Sequence, residues 1–284
     1  MKILITGGKG MLGRTLQKEL ARHMLCIADL PECDITDAKK TERFIADFAP
    51  DAVIHCAAMT AVDRCESEKG LARLLNIEGT KNVAVAADRC GAKMIAISTD
   101  YVFRGDADRP YREEDIPDPQ TVYGQTKKGG EDMVRKYASR HLICRISWLY
   151  GAGGPSFVHA MMKLADGTHP ELKVVSDQIG NPTSATAVGR KLRELLERPE
   201  LSGTWHLTCE GETSWYGFAR EIFRLAKIDQ RVVPCTTAEF PRPAPRPKNS
   251  RLYKGMLEKY GFSPMPAWQD ALAEFMADEF PRAE

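Results

Sequence analysis

The sequence predicts an α/β protein built on a doubly wound parallel sheet, with a smaller C-terminal domain after it. Three observations carry this. Apolar runs of strand length alternate with helical patterns through the first 150 residues, as strand–helix–strand crossovers require. A glycine-rich turn joins the first apolar run to the first helical pattern. Beyond residue 150 the alternation stops, and longer helical patterns dominate between short apolar runs. The predicted division is 1–150 and 151–284, with the stretch near 170–200 able to return to the first unit.

The first four predicted strands are "KILITG", "LCIADL", "AVIHCA" and "MIAISTD". Between them "MLGRTLQKELARH", "TDAKKTERFIADFA" and "LARLLNIEGTKNVAVAADRCG" have helical length and spacing. A helix over "YGQTKKGGEDMVRKYA" and a strand over "HLICRISWLY" follow. Right-handed crossovers then place helices on both sheet faces. In the second half "FVHAMMKLAD", "ATAVGRKLRELLER", "WYGFAREIFRLAK" and "AWQDALAEFMADEF" read as helices, and "KVVSDQ" and "TWHLTC" as short strands. Proline peaks in "FPRPAPRPKNS" at Pro241, Pro243, Pro245 and Pro247. An ordered loop over a binding site is favoured there over a polyproline recognition segment, because helical sequence follows it. No internal repeat is present.

The net charge is +1, from 40 basic and 39 acidic residues, which points to neither a nucleic-acid nor a membrane partner. No apolar run approaches the roughly 18 residues of a membrane span. The N-terminus reads as a strand rather than a signal peptide, so a cytoplasmic protein is expected. Eight dispersed cysteines without a C-x-x-C pair predict buried reduced thiols. The six histidines lack metal-ligand spacing, and no metal site is predicted.

"ITGGKGMLGRTL" sets Gly7, Gly8, Gly10 and Gly13 between a strand and a helix. Glycine permits the tight turn and the close approach of a pyrophosphate, which the helix N-terminus then faces with free N–H groups. This predicts a Rossmann-like domain binding NADPH or NADH. Asp29, near the end of the second strand, suits the ribose hydroxyls of NAD. Lys9 and Arg14 beside the glycines suit a 2′-phosphate, and Asp34 an adenine-side position. The choice between the two cofactors stays open.

Ligands of doubly wound folds lie beyond the carboxyl ends of the strands. There the third strand offers small Ala57 and Ala58, then Thr60 and Val62, with Asp63 expected as a helix N-cap. The fourth strand turns polar at Ser98, Thr99 and Asp100. Tyr123 and Lys127 follow, four apart and so on one helix face. A phenol is a poor acid–base group near neutral pH until a nearby cation stabilises the phenolate.

Nucleotide loop, polar strand end and Y-x-x-x-K, in that order, resemble the extended short-chain dehydrogenases/reductases. "STDYVF", "YGQTK", "RISWLYG", "VVSDQIGNPT" and "RPKNSRL" narrow the resemblance to the dTDP-4-dehydrorhamnose reductase family, in order from residue 2 to about 280. The resemblance implies reduction of the 4-keto group of a dTDP-linked deoxysugar, with Thr99, Tyr123 and Lys127 as the catalytic set. It implies a cofactor lined by Gly7, Gly10, Met11, Leu12, Gly13, Asp29, Asp34, Ile35, Ala58, Met59, Thr60, Tyr123 and Lys127. The substrate would meet Thr60, Val62, Thr99, Asp100, Trp148 and Arg246, with Arg242 and Arg246 as candidates for its pyrophosphate. The family reads G-N-N-F where this chain has "GGPSF", so Pro155 and Ser156 replace two amides and the exact sugar and nucleotide stay open. Some members hold magnesium at a dimer interface; no such cluster is identified in this chain, and a homodimer is left open. The alternatives are a 4-epimerase or another nucleotide-sugar enzyme of this superfamily, and a reductase-like regulatory subunit. A dehydratase is disfavoured, because Tyr101 stands where an acid would be expected.

Overall fold

The computed structural model describes residues 1–281. The chain opens with β1 (Lys2–Thr6), α1 (Met11–Glu19), β2 (Met24–Ala28), α2 (Ala38–Phe48) and β3 (Ala52–His55). All four residues of β3 and four of the five in β1 are buried, as continuous apolar runs covered on both faces must be. α2 begins where the Asp37 carboxylate accepts the Lys40 N–H.

After α3 (Val62–Ser67), the helix predicted over 71–91 runs without a gap from α4 (Lys69–Arg73) through a π-helical turn over Leu74–Gly79 into α5 (Thr80–Arg89). In that widened turn Asn76 is fully buried. Its amide accepts from Met59 N at 2.8 Å and donates to Met59 O at 3.1 Å and Thr126 Oγ1 at 3.0 Å. Isolated π-turns inside α-helices recur at functional sites.

β4 (Lys93–Thr99), α6 (Val122–Tyr137) and β5 (His141–Ile146) follow. Thr121 caps α6 by accepting the Gly124 N–H. A Cβ on Gly124 would lie 2.2 Å from Tyr101 O, and one on Gly130 2.5 Å from Asn76 O. These glycines let α6 lie directly against the β4 exit and the π-turn.

The strand predicted through Tyr150 ends early. Trp148 takes φ 47°, a left-handed conformation that turns the chain out of the sheet. Next come β6 (Leu149–Tyr150), α7 (Phe157–Leu164), β7 (Leu172–Val175), β8 (Ile179–Gly180), β9 (Thr183–Ser184), α8 (Ala185–Leu196) and β10 (Gly203–His206). β11 (Thr213–Ser214), α9 (Trp215–Ala226), β12 (Val232–Cys235), β13 (Asn249–Ser250), α10 (Gly255–Lys259) and α11 (Trp268–Glu279) complete the chain.

The central sheet has the order β10-β5-β4-β3-β1-β2, with every pair parallel. α1 and α8 cover one face, and α2, α5 and α6 the other. Strand order reverses between β1 and β3, which opens a crevice at their carboxyl ends. The rest of the second half supplies small sheets, β11-β8-β13, β12-β7 and β6-β9, packed with α7, α9 and α11. Among the described residues no helix is long and apolar enough to cross a membrane, and all eight cysteines are free thiols.

Candidate active site

One cleft of ≈ 1240 Å³ runs from the glycine loop across the sheet's carboxyl edge to the second half. Gly7, Gly10, Met11, Leu12, Gly13, Asp29, Asp34, Ile35, Ala58, Thr60, Val62, Thr99, Asp100, Tyr123, Lys127, Trp148 and Arg246 all line it. Met59 does not: its side chain is buried against Cys65, Ala72, Val122 and Tyr123, because Asn76 holds its backbone turned inward.

At the crevice Gly7 takes φ +67°, and a Cβ there would lie 2.6 Å from Ala57 N. Gly10 is the N-cap of α1 and offers no side-chain cap, so the first N–H groups of the helix remain open to an anion. A Cβ on Gly10 would meet only Gly7 O, at 3.2 Å. This cradle fits a dinucleotide pyrophosphate. The Asp29 carboxylate also holds the loop in place. It accepts Lys9 N at 2.8 Å and Leu30 N at 2.9 Å, pinning the glycine turn to the end of β2. Lys9 reaches Leu30 O and Glu32, and Arg14 Nε donates to Lys9 O. Lys9 lines the cleft, and Arg14 does not. Asp34 accepts Thr36 N and Oγ1, forming the turn that precedes α2.

Thr99, Tyr123 and Lys127 meet in the floor of the cleft, each less than a tenth exposed. Burial raises the Tyr123 phenol above its ordinary value, and hydrogen bonding to Thr99 partly offsets that. The Lys127 ammonium donates to Ile97 O at 2.7 Å, and the neighbouring Asp100 carboxyl adds to the rise of the phenol. Burial lowers Lys127 itself to about 8, with Glu131 opposing the shift.

Glu131, one helical turn beyond Lys127, was not singled out from the sequence. It accepts Ser98 Oγ at 2.6 Å, Arg145 Nε and Nη2 at 2.8 Å each, and Arg135 Nη2 at 2.9 Å. Burial works against its ionisation, but the Arg145 hydrogen bond and charge prevail and hold it at about 2. The network locks α6 to β4 and β5, and so fixes where Tyr123 and Lys127 stand. Asp100 accepts the Thr99 hydroxyl at 3.0 Å, and the Ser250 hydroxyl lies beside the same buried carboxyl. Burial raises Asp100 to about 6.

The far wall is aromatic. Trp148 stacks on Trp215 with centroids 3.6 Å apart and planes 9° apart, and Phe157 leans on Trp215 at 4.6 Å. Gly180 lies behind Trp148: a Cβ there would be 2.5 Å from its Cε2. Trp215 and Phe157 line the cleft but passed in the sequence as helix residues, since nothing local marks a partner 67 positions away. Pro155 also lines the cleft, while Ser156 turns away to cap α7. Asp63 is not a helix N-cap; Ala61 holds that position, and Asp63 pairs with Arg246 at 2.8 Å. Arg242, exposed over the Phe240 ring, borders the same mouth.

The family model described as the RmlD substrate binding domain matches residues 1–280. A curated dTDP-4-dehydrorhamnose reductase from Streptomyces griseus is 40% identical over 279 residues, 95% of this chain and 91% of that one. The crystal structure of a dTDP-4-dehydrorhamnose reductase from Clostridium acetobutylicum aligns with TM-score 0.95 at 46% identity, covering 98% of this chain and 99% of the other. That of Bacillus anthracis, in complex with NADP, aligns with TM-score 0.95 at 39% identity, again over 98% and 99%. Family match and full-length likeness together establish that this chain belongs to the RmlD substrate-binding-domain family.

Proposed function

We propose that the protein reduces the 4-keto group of dTDP-4-dehydro-L-rhamnose to give dTDP-L-rhamnose. The observation that carries this reading is convergence: the glycine cradle, the Thr99–Tyr123–Lys127 set and the Trp148 wall share one cleft in a member of this family. Gly7, Gly10, Gly13, Ala57 and Ala58 would hold the cofactor, and Lys127 its nicotinamide ribose. NADPH or NADH bound there supplies the hydride that reduces the ketone carbon. On substrate binding the Thr99 hydroxyl turns its one proton from Asp100 Oδ1 to the substrate carbonyl and orients it. Tyr123 gives its phenolic proton to the same oxygen as that oxygen becomes an alkoxide. Burial keeps the phenol protonated until then. Asp100 accepts from a sugar hydroxyl, and the Trp148 indole, its faces held between Gly180 and Trp215, presents an apolar edge to the ring. Thr60 and Val62 border the sugar from the β3 side, and Arg246 meets the diphosphate.

The ligand is a small nucleotide sugar, rather than nucleic acid or membrane, and the protein works in the cytoplasm. The test is a panel of 4-keto nucleotide sugars, following nicotinamide absorbance with NADPH and with NADH. Turnover of the dTDP-linked 4-keto-6-deoxysugar is expected. A protein that oxidises neither cofactor with any member of the panel would refute the reading. A 4-epimerase would instead carry its dinucleotide through purification.

A further inference from the structure

The proline-rich segment Pro241–Pro247 crosses the mouth of the cleft. Four prolines fix φ at alternate positions and leave amide protons only on Arg242, Ala244 and Arg246. Ala244 is wholly buried and donates its N–H to Asp63 Oδ1 at 3.1 Å. Arg246 Nη2 donates to Asp63 Oδ2 at 2.8 Å, and its Nη1 to Ala244 O at 2.9 Å. One carboxylate on α3 thus clasps two points of a segment more than 180 positions further along the chain. Beyond the clasp the segment is fixed again, where Asn249 N donates to Gly105 O at 2.9 Å. Burial opposes ionisation of Asp63, but the bonds from Arg246 and Ala244 and the charge of Arg242 hold its carboxyl below the usual range.

We propose that Asp63 is a positioning residue that clamps the proline segment across the cleft and aims the Arg246 guanidinium at the diphosphate of a nucleotide sugar. A guanidinium has five N–H donors, and Asp63 and Ala244 occupy two of them. The others, on a side chain that lines the cleft, suit the oxygens of a phosphate. Asp63 directs this fork rather than competing for it, because the carboxylate takes one terminal nitrogen only. Its place in the first turn of α3, directly after Thr60 and Val62, ties the clamp to the loop that borders the sugar. Both partners are partly exposed, so the pair itself contributes little to stability. Its effect is on position.

The proposal rests on the reading given under Proposed function, and the test separates the two. In full-length Asp63→Ala, amide exchange at Ala244 should speed by roughly tenfold or more, since no other acceptor holds that proton. The KM for the 4-keto nucleotide sugar should rise about tenfold, with the KM for NADPH within about twofold and kcat within about threefold. Arg246→Ala should do the same to the sugar KM, and the double variant should add nothing further. Asp63→Asn, which keeps an acceptor, guards against misfolding and should retain slow exchange at Ala244. Unchanged Ala244 exchange in Asp63→Ala, multiplicative effects on KM, or a lower sugar KM would each overturn the proposal. Should no keto-sugar be turned over, the functional reading fails alone. Calorimetric binding of dTDP then tests the clamp, expected about tenfold weaker in Asp63→Ala and overturned by equal affinity.

Discussion

Gly180→Ala probes the link between packing and substrate recognition. The added methyl would lie 2.5 Å from Trp148 Cε2 and 2.8 Å from Cζ2 and Nε1. Ordinary contact between carbons needs roughly 3.5–4 Å, so the indole must give way by about 1 Å. It has no room to move straight back, because Trp215 is stacked on it with centroids 3.6 Å apart. Its backbone is held too: Thr183 N donates to Trp148 O at 3.1 Å, and φ is already 47°. The ring must therefore slide or tilt. Overpacking of this kind costs about 1–3 kcal/mol, which for a chain of this size lowers Tm by several degrees. A displacement near 1 Å of a group that positions substrate is enough for roughly a tenfold to hundredfold loss in kcat/KM. The cofactor cradle lies at the other end of the cleft, so the KM for NADPH should hold. Steady-state kinetics with each ligand varied, beside the exciton circular dichroism of the tryptophan pair, make the measurement. A disturbed tryptophan signal with unchanged kinetics for the sugar nucleotide would show that Trp148 is not a wall of its site. An unchanged signal at unchanged Tm would show that the packing argument is wrong.

Tyr123→Phe removes one oxygen and keeps the ring against Tyr101, 5.5 Å away edge-on. Turnover should fall by roughly 10²–10⁴ with both ligands still bound, and single-turnover rates near wild type would rule the phenol out as proton donor. Gly10→Val places a branched side chain where only Gly7 O is near, so the fold should survive while cofactor binding is lost. Titration of NADPH fluorescence checks this, and wild-type affinity in a folded variant would move the site elsewhere. Lys127, lowered to about 8 by burial, is charged below that pH and loses its proton as pH rises through it. The KM for cofactor should therefore be flat on the acid side and climb above about pH 8, and a flat profile to about pH 10 would show that this charge is not used.

Most of the sheet was readable because a parallel strand covered on both faces must be apolar throughout, and "KILIT", "AVIH" and "KMIAIST" announce that without help from distant residues. The glycine cradle and the Tyr123–Lys127 pair were readable for a similar reason, since each is fixed by spacing within a few residues. What escaped depends on partners far along the chain. Asp63 looked like a cap because its carboxylate sits at a helix start; its true partner is 183 positions away. Glu131 carries no local mark in the sequence, yet it is buried beneath Arg145 and Ser98. The widened turn at Leu74–Gly79 was invisible because "LLNIEG" has ordinary helical character; only the pull of Met59 and Thr126 on Asn76 shows what it serves. The end of β5 was missed because a tryptophan in left-handed backbone has no local signature.

The placement of β10 at the edge of the main sheet gives the folding of this chain a clock. β10 pairs with β5 through Gly203–His206 against Leu142–Arg145, but the segment 147–202 comes between them. During synthesis β5 is complete while its partner strand is still unmade, and roughly 55 residues at about 5–20 per second take some 3–11 s. For that interval Leu142, Ile143 and Cys144 form an open strand edge with unpaired N–H and C=O groups, the kind that recruits other chains. Arg145 near the end of β5 and Glu131 of α6 beneath it are already in place to hold α6 over one face while the edge waits.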